Sequence, residues 1–83
     1  MVALLNTLKE NGMIWFYLGS LISSDNLLCV EDCNIAIELL SETIEAIPET
    51  NFNEEEKEKI IKYCNDGIEI CEADKKEFLK NIN

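Results

Sequence analysis

Four cysteines, at positions 29, 33, 64 and 71, and seventeen carboxylates are the side chains of this 83-residue sequence whose type and spacing come nearest to chemistry. Cys29 and Cys33 are four apart and can share a helix face. Cys64 and Cys71, seven apart, can share another. Three uses are open to the thiols. A four-thiolate zinc site between helices would need all of them, but the short C-x2-C loops that usually build one are missing. A disulfide between the two pairs would need an oxidising compartment. As small hydrophobes in a core they need nothing further, and Cys33, Cys64 and Cys71 fall on apolar stripes. Packing is the reading the pattern favours, with no metal and no cofactor.

Catalysis lacks its parts. The chain has no His to act as a general base and no Arg to clamp a phosphate or carboxylate. Its three glycines are isolated and form no phosphate loop. The adjacent carboxylates Glu31/Asp32 and Glu54/Glu55/Glu56 read as solvated helix surface. The expectation is a protein that is not an enzyme.

The charge carries more information. The net charge is −10. Residues 1–24 hold Lys9 and Glu10 and sum to zero; residues 57–83 hold six Lys against six acids. The whole excess lies in residues 25–56, which contain ten acids and no Lys. Such a chain repels nucleic acid and anionic membrane, so neither is expected as a direct ligand. An acidic face suits a protein partner with a basic surface, by electrostatic complementarity. Alternatively, it imitates the charge of a nucleic-acid backbone and inhibits a DNA- or RNA-binding enzyme, as small acidic phage or mobile-element proteins do. The acids singled out for partner binding are Glu31, Asp32, Glu38, Glu42 and Glu45.

Four helices must position these groups. Val2–Glu10 places Leu4, Leu5 and Leu8 on one face and ends at Asn11-Gly12. Met13–Ser23 follows, and Ser23–Asn26 is a turn signal. The third helix runs from about Leu28 to Ile47 with a stripe of Val30, Cys33, Ala36, Ile37, Leu40, Ile44 and Ile47, and Pro48 stops it. Glu49–Asn53 is a linker. The fourth helix opens near Asn53, with Ile60, Cys64, Gly67/Ile68, Cys71, Phe78 and Ile82 on its stripe. Gly67 inside it implies close packing or a bend. The apolar run Met13–Ile22 is too short to span a bilayer and lacks the features of a secretory signal. A cytoplasmic protein with reduced thiols is expected.

Trp15-x2-Leu18-Gly19, then Ala36-x3-Leu40, then Pro48, a pattern within residues 14–48, resembles one helical hairpin of the tetratricopeptide (TPR) family. Trp15, Leu18 and Gly19 match the family's W-x2-L-G block, with Ile22 in the following tyrosine slot. Ala36 and Leu40 match its A-x3-F block, and Pro48 falls twelve residues after Ala36. The spacing from Trp15 to Ala36 is five residues longer than in the family, which places an insertion around Ser23–Leu28. Thr43 stands where the family usually has alanine. The resemblance implies a protein-binding unit whose groove would be lined by Met13, Phe16, Ser20 and Ser23. None of these is the Lys or Asn with which members clamp an acidic peptide terminus. A shorter stretch, Glu31–Glu42, is similar to the dimerisation segment of the small glutamine-rich TPR co-chaperones, which docks basic ubiquitin-like domains.

Trp15, Phe16 and Tyr17 span about 200° of a helix and cannot all enter one core. Trp15 is expected in the packed stripe, leaving Phe16 or Tyr17 to meet another helix, another subunit or a partner. The expected architecture is a single all-α domain over residues 1–83. It is a four-helix, bundle-like arrangement around a central antiparallel helical hairpin, with the long third and fourth helices antiparallel and the first two on one side. A homodimer is expected, because so short a chain has a thin core. The expected function is an adaptor or regulator, acting through the acidic face and the aromatic patch of Phe16 and Tyr17.

Overall fold

The computed structural model describes residues 1–81; Ile82, which the sequence places on the last stripe, lies outside them. The elements in order are α1 (Val2–Glu10), α2 (Ile14–Leu21), α3 (Val30–Ala46), a 3-10 turn (Ile47–Glu49) and α4 (Glu54–Lys80). No strand occurs among the described residues. The fold class is all-α.

Each boundary has a local cause. Gly12 takes φ +69°, a left-handed conformation open to glycine at no steric cost. It closes α1 with Gly12 N–H donating to the Lys9 carbonyl (3.0 Å) and Met13 N–H to the Leu8 carbonyl (2.8 Å). Asn53 opens α4 through a reciprocal capping box. Its side chain accepts from Glu56 N–H at 2.8 Å, and the Glu56 carboxylate accepts from Asn53 N–H at 3.4 Å.

α2 is shorter than expected, ending at Leu21 rather than Ser23, and α3 differs from expectation at both ends. α3 begins at Val30, because the Asp32 carboxylate accepts Leu28 N–H at 3.1 Å and Cys29 is extended (φ −158°, ψ 173°). Pro48 does not stop the chain at once. The helix tightens into the 3-10 turn, where proline at the first positions has no needed N–H to lose. Lys57 Nζ then donates to the Pro48 carbonyl at 3.1 Å, covering an end that would otherwise lack a partner.

The α3 and α4 stripes face each other in an antiparallel hairpin. Cys33, Leu40 and Ile47 from one helix and Ile60, Cys64 and Cys71 from the other are buried. α1 and α2 lie over one side of it. α1 is tied to the linker by two polar contacts. Asn51 N–H donates to Asn6 Oδ1 (2.9 Å), and Lys9 Nζ donates to the Asn51 carbonyl (3.1 Å). Lys9 also lies 3.6 Å from Glu56 and over the Phe52 ring. Because α1 meets the rest along a narrow line, Leu5 is buried but Leu4 is exposed, unlike the shared face expected.

Gly67 is where helices approach most closely. A Cβ there would sit 2.9 Å from Ile22 Cγ2 and 3.2 Å from Leu40 Cδ1. Ile22 is stiff at its branched carbon and Leu40 is buried, so neither yields easily. Gly67→Ala therefore sets a helix-propensity gain of about 1 kcal/mol against an overpacking cost of about 1–3 kcal/mol. A net loss of about 1 kcal/mol is expected in urea denaturation. A gain in stability would show that α2 does not press on α4 at this point.

Candidate protein-interaction surface

α3 is a helix of two faces. At about 100° per residue, Glu31, Glu38, Glu42 and Glu45 fall within about 60° of one another, opposite the stripe that meets α4. All four are exposed. None forms an ion pair among the described residues, whereas three i,i+3 or i,i+4 pairs lie along α4: Lys57–Glu54, Lys59–Glu55 and Lys80–Glu77. Glu38/Glu42 and Glu42/Glu45 are like-charged neighbours, and each such pair costs an isolated helix about 0.2–0.5 kcal/mol. Glu45 also stands near the C-terminal end of α3, where the helix dipole disfavours negative charge. Glu31, in the first turn, is favoured by the same dipole, so it is Glu38, Glu42 and Glu45 that work slightly against the stability of their own helix.

Asp32 does not belong to that row. It is half-buried, and its carboxylate is engaged by Leu28 N–H. Its hydrogen bond ties the segment just before α3 to the first turn of the helix, so among the acids singled out in the sequence it stands apart from the row.

The aromatics separate as well. Phe16 is 72% exposed and points away from the hairpin. Tyr17 is half-buried on the α3 side. Burial raises its hydroxyl pKa, and the nearby Cys64 and Glu42 charges add to the rise, which places Tyr17 between the core and the acidic row. Trp15 corrects the expectation that it packs inside. It is 48% exposed and meets the Tyr63 ring edge-on, centroids 5.5 Å apart and planes at 77°. α2 has only eight residues, and Ile14 and Leu18 fill the space beneath it, so the Trp15 ring lies along the seam with α4. Met13, Trp15 and Phe16 together leave an apolar surface on a helix with no charged residue.

Sequence reasoning missed a groove of about 230 Å3 between α2 and α3. Leu21 and Leu27 line one wall, Ala36 and Leu39 the other, and Ile35 stands at the lip, 51% exposed. The wall containing Leu27 belongs to the segment 23–28 between the two helices. A larger hollow, about 450 Å3, adjoins it against Trp15 and Phe16. Ser20 and Asn26 form the ridge between the two, with Asn26 Nδ2 donating to the Ser20 carbonyl at 2.6 Å. Ile35 was the available signal: an isoleucine amid Glu31, Glu38 and Glu42 on an otherwise polar face.

The thiols are free. Cys33, Cys64 and Cys71 are buried, and Cys29 is exposed. Burial raises all three core thiols; for Cys64 the pKa is pushed from 9.0 up to about 11. Such thiols are poor nucleophiles, since the thiolate is the reactive form. Among the described residues, no three His, Cys, Asp or Glu groups converge in a way that would hold a metal. No helix is long and apolar enough to cross a membrane among them.

Comparison with protein-family models, with curated proteins and with solved structures returns no match.

Proposed function

We propose that this chain is a non-enzymatic adaptor or regulator that binds a protein partner with a basic surface. The contact uses the acidic row of α3 and the aromatic face of α2, in a cytoplasm that keeps its thiols reduced. The unpaired row Glu31–Glu38–Glu42–Glu45 carries this reading. On α4 the acids are offset by lysines at helical spacing; on α3 there is no lysine at all. A row that slightly destabilises its own helix makes sense where a cationic partner relieves it. Phe16, large and exposed on α2, has the character of an interface anchor.

The charge density argues against imitation of a duplex. Glu31 to Glu45 covers about 21 Å, in which B-DNA presents about twelve phosphates, against four carboxylates here. A protein surface, with sparser cations, is the better counterpart.

Two substitution sets test the assignment against a partner captured from the source cells. Glu38→Gln, Glu42→Gln and Glu45→Gln together are expected to weaken binding about 10–100-fold at low salt, with less loss at high salt. Phe16→Ala should weaken it about 30-fold with no change in unfolding midpoint, because the ring is exposed. Partner binding unaffected by either set would remove both site assignments. Competition by DNA or RNA fragments would instead favour nucleic-acid mimicry.

A further inference from the structure

The groove between α2 and α3 holds too little volume for a cofactor or drug-sized ligand, which occupies roughly 300–1,000 Å3. Its α3 wall runs from Asp32 to Leu39, about 10 Å or two helical turns. Those dimensions fit one or two apolar side chains. On the ridge beside it the Ser20 carbonyl accepts from Asn26, and Ser20 Oγ donates to the Tyr17 carbonyl at 2.6 Å. On the outer side of the α3 wall stand Glu31, Glu38 and Glu42, without a lysine in the surrounding segment 25–56. An apolar slot with acidic residues along one edge matches one occupant: a helix with an apolar face bordered by Lys or Arg.

We infer that this groove seats the apolar face of a cationic amphipathic helix, with one side chain between Leu27 and Leu39 and the next passing the Ser20/Asn26 ridge onto Phe16. The inference deepens the basic-partner reading and rests on it. Residues one or two turns apart on the guest helix are about 5–11 Å apart along its axis, which suits two adjoining hollows. A second copy of this chain is the poorer occupant. The described helix of this protein with the most lysines, α4, interleaves them with acids, so its docking would set carboxylate against carboxylate.

The test uses three synthetic helical peptides of equal length. The first carries leucines at i, i+4 and i+7 flanked by lysines. The second replaces the lysines with glutamates, and the third replaces the leucines with alanines. Titrations would be followed by calorimetry and by amide chemical shifts. The Leu/Lys peptide is expected to bind and to shift Leu27, Ile35 and Leu39, and Ile35→Gln should weaken it at least 10-fold. Ile35 is half in solvent, so that variant should remain folded. Equal binding of the Ala/Lys peptide would overturn the groove while leaving the acidic row as a site. Equal binding of the Leu/Glu peptide would overturn the charge selection and the basic-partner reading together. Failure of all three to bind would overturn the groove. So would a concentration-dependent dimer, seen by sedimentation, that buries Ile35.

Discussion

Leu40→Ala is expected to leave a large part of the chain unfolded at room temperature. Leu40 is fully buried near the middle of the α3–α4 seam, and its methyl groups lie against the bare backbone of Gly67. Truncating such a leucine costs about 2–5 kcal/mol, from lost transfer energy and from the cavity left behind. A single core in a chain of this size rarely supplies more than about 3–5 kcal/mol in total. The two ranges overlap, so the loss approaches the whole stability. Urea denaturation followed by circular dichroism should show a sloping or absent native baseline for the variant. The Gly67 contact adds a stricter check. A methyl added at Gly67 meets Leu40 and Ile22 in the native protein, but only Ile22 once Leu40 is truncated. Gly67→Ala should then cost less in the Leu40→Ala background than alone, with a coupling above about 0.5 kcal/mol. Purely additive effects would mean that the two residues do not touch.

Where the periodicity of the chain was unambiguous, the fold was legible from it. The α3 stripe, the Asn53 start of α4 and the Asn11-Gly12 stop each follow from short-range rules, whereas Gly67 is open in sequence to close packing or a bend and only Ile22 and Leu40 against its backbone decide for packing. Side-chain fate on α2 was not legible. Trp15 at the family's packed position suggested burial, yet an eight-residue helix over a core of small cysteines and branched aliphatics has no hole of tryptophan size. Asp32 looks in sequence like one more surface acid, because its bond to Leu28 N–H depends on the extended backbone at Cys29. The groove was invisible for a different reason. Its walls come from α2, the segment 23–28 and the edge of α3, and only their juxtaposition makes Leu27, Ile35 and Leu39 neighbours. The turn signal at Ser23–Asn26 does not indicate that Leu27, just after it, folds back to build a wall.

The core thiols set the direction of the molecule's pH response at the alkaline end. Cys64 is fully buried, and burial pushes its thiol from 9.0 up to about 11. Burial also raises Cys33 and Cys71, and nearby negative charge, Asp74 among it, adds to both rises. A thiol whose pKa is higher in the folded than in the unfolded chain stays protonated longer when folded. Its contribution is therefore intact below about pH 9 and is lost as pH rises toward 11, because there the folded state binds more protons than the unfolded one. For Cys64 alone the rise corresponds to on the order of 3 kcal/mol. That is comparable with the whole stability expected of so small a core, about 3–5 kcal/mol. The protein is expected to unfold between about pH 9 and 11, with thiolate absorbance appearing together with the loss of helix. The decisive comparison is one of slopes. Cys64→Ala will be less stable at neutral pH because of its cavity, yet its stability should fall less steeply with pH than that of the parent chain. An identical slope would mean that Cys64 ionises as freely in the folded state as in the unfolded one, and that the α3–α4 seam admits water at its centre.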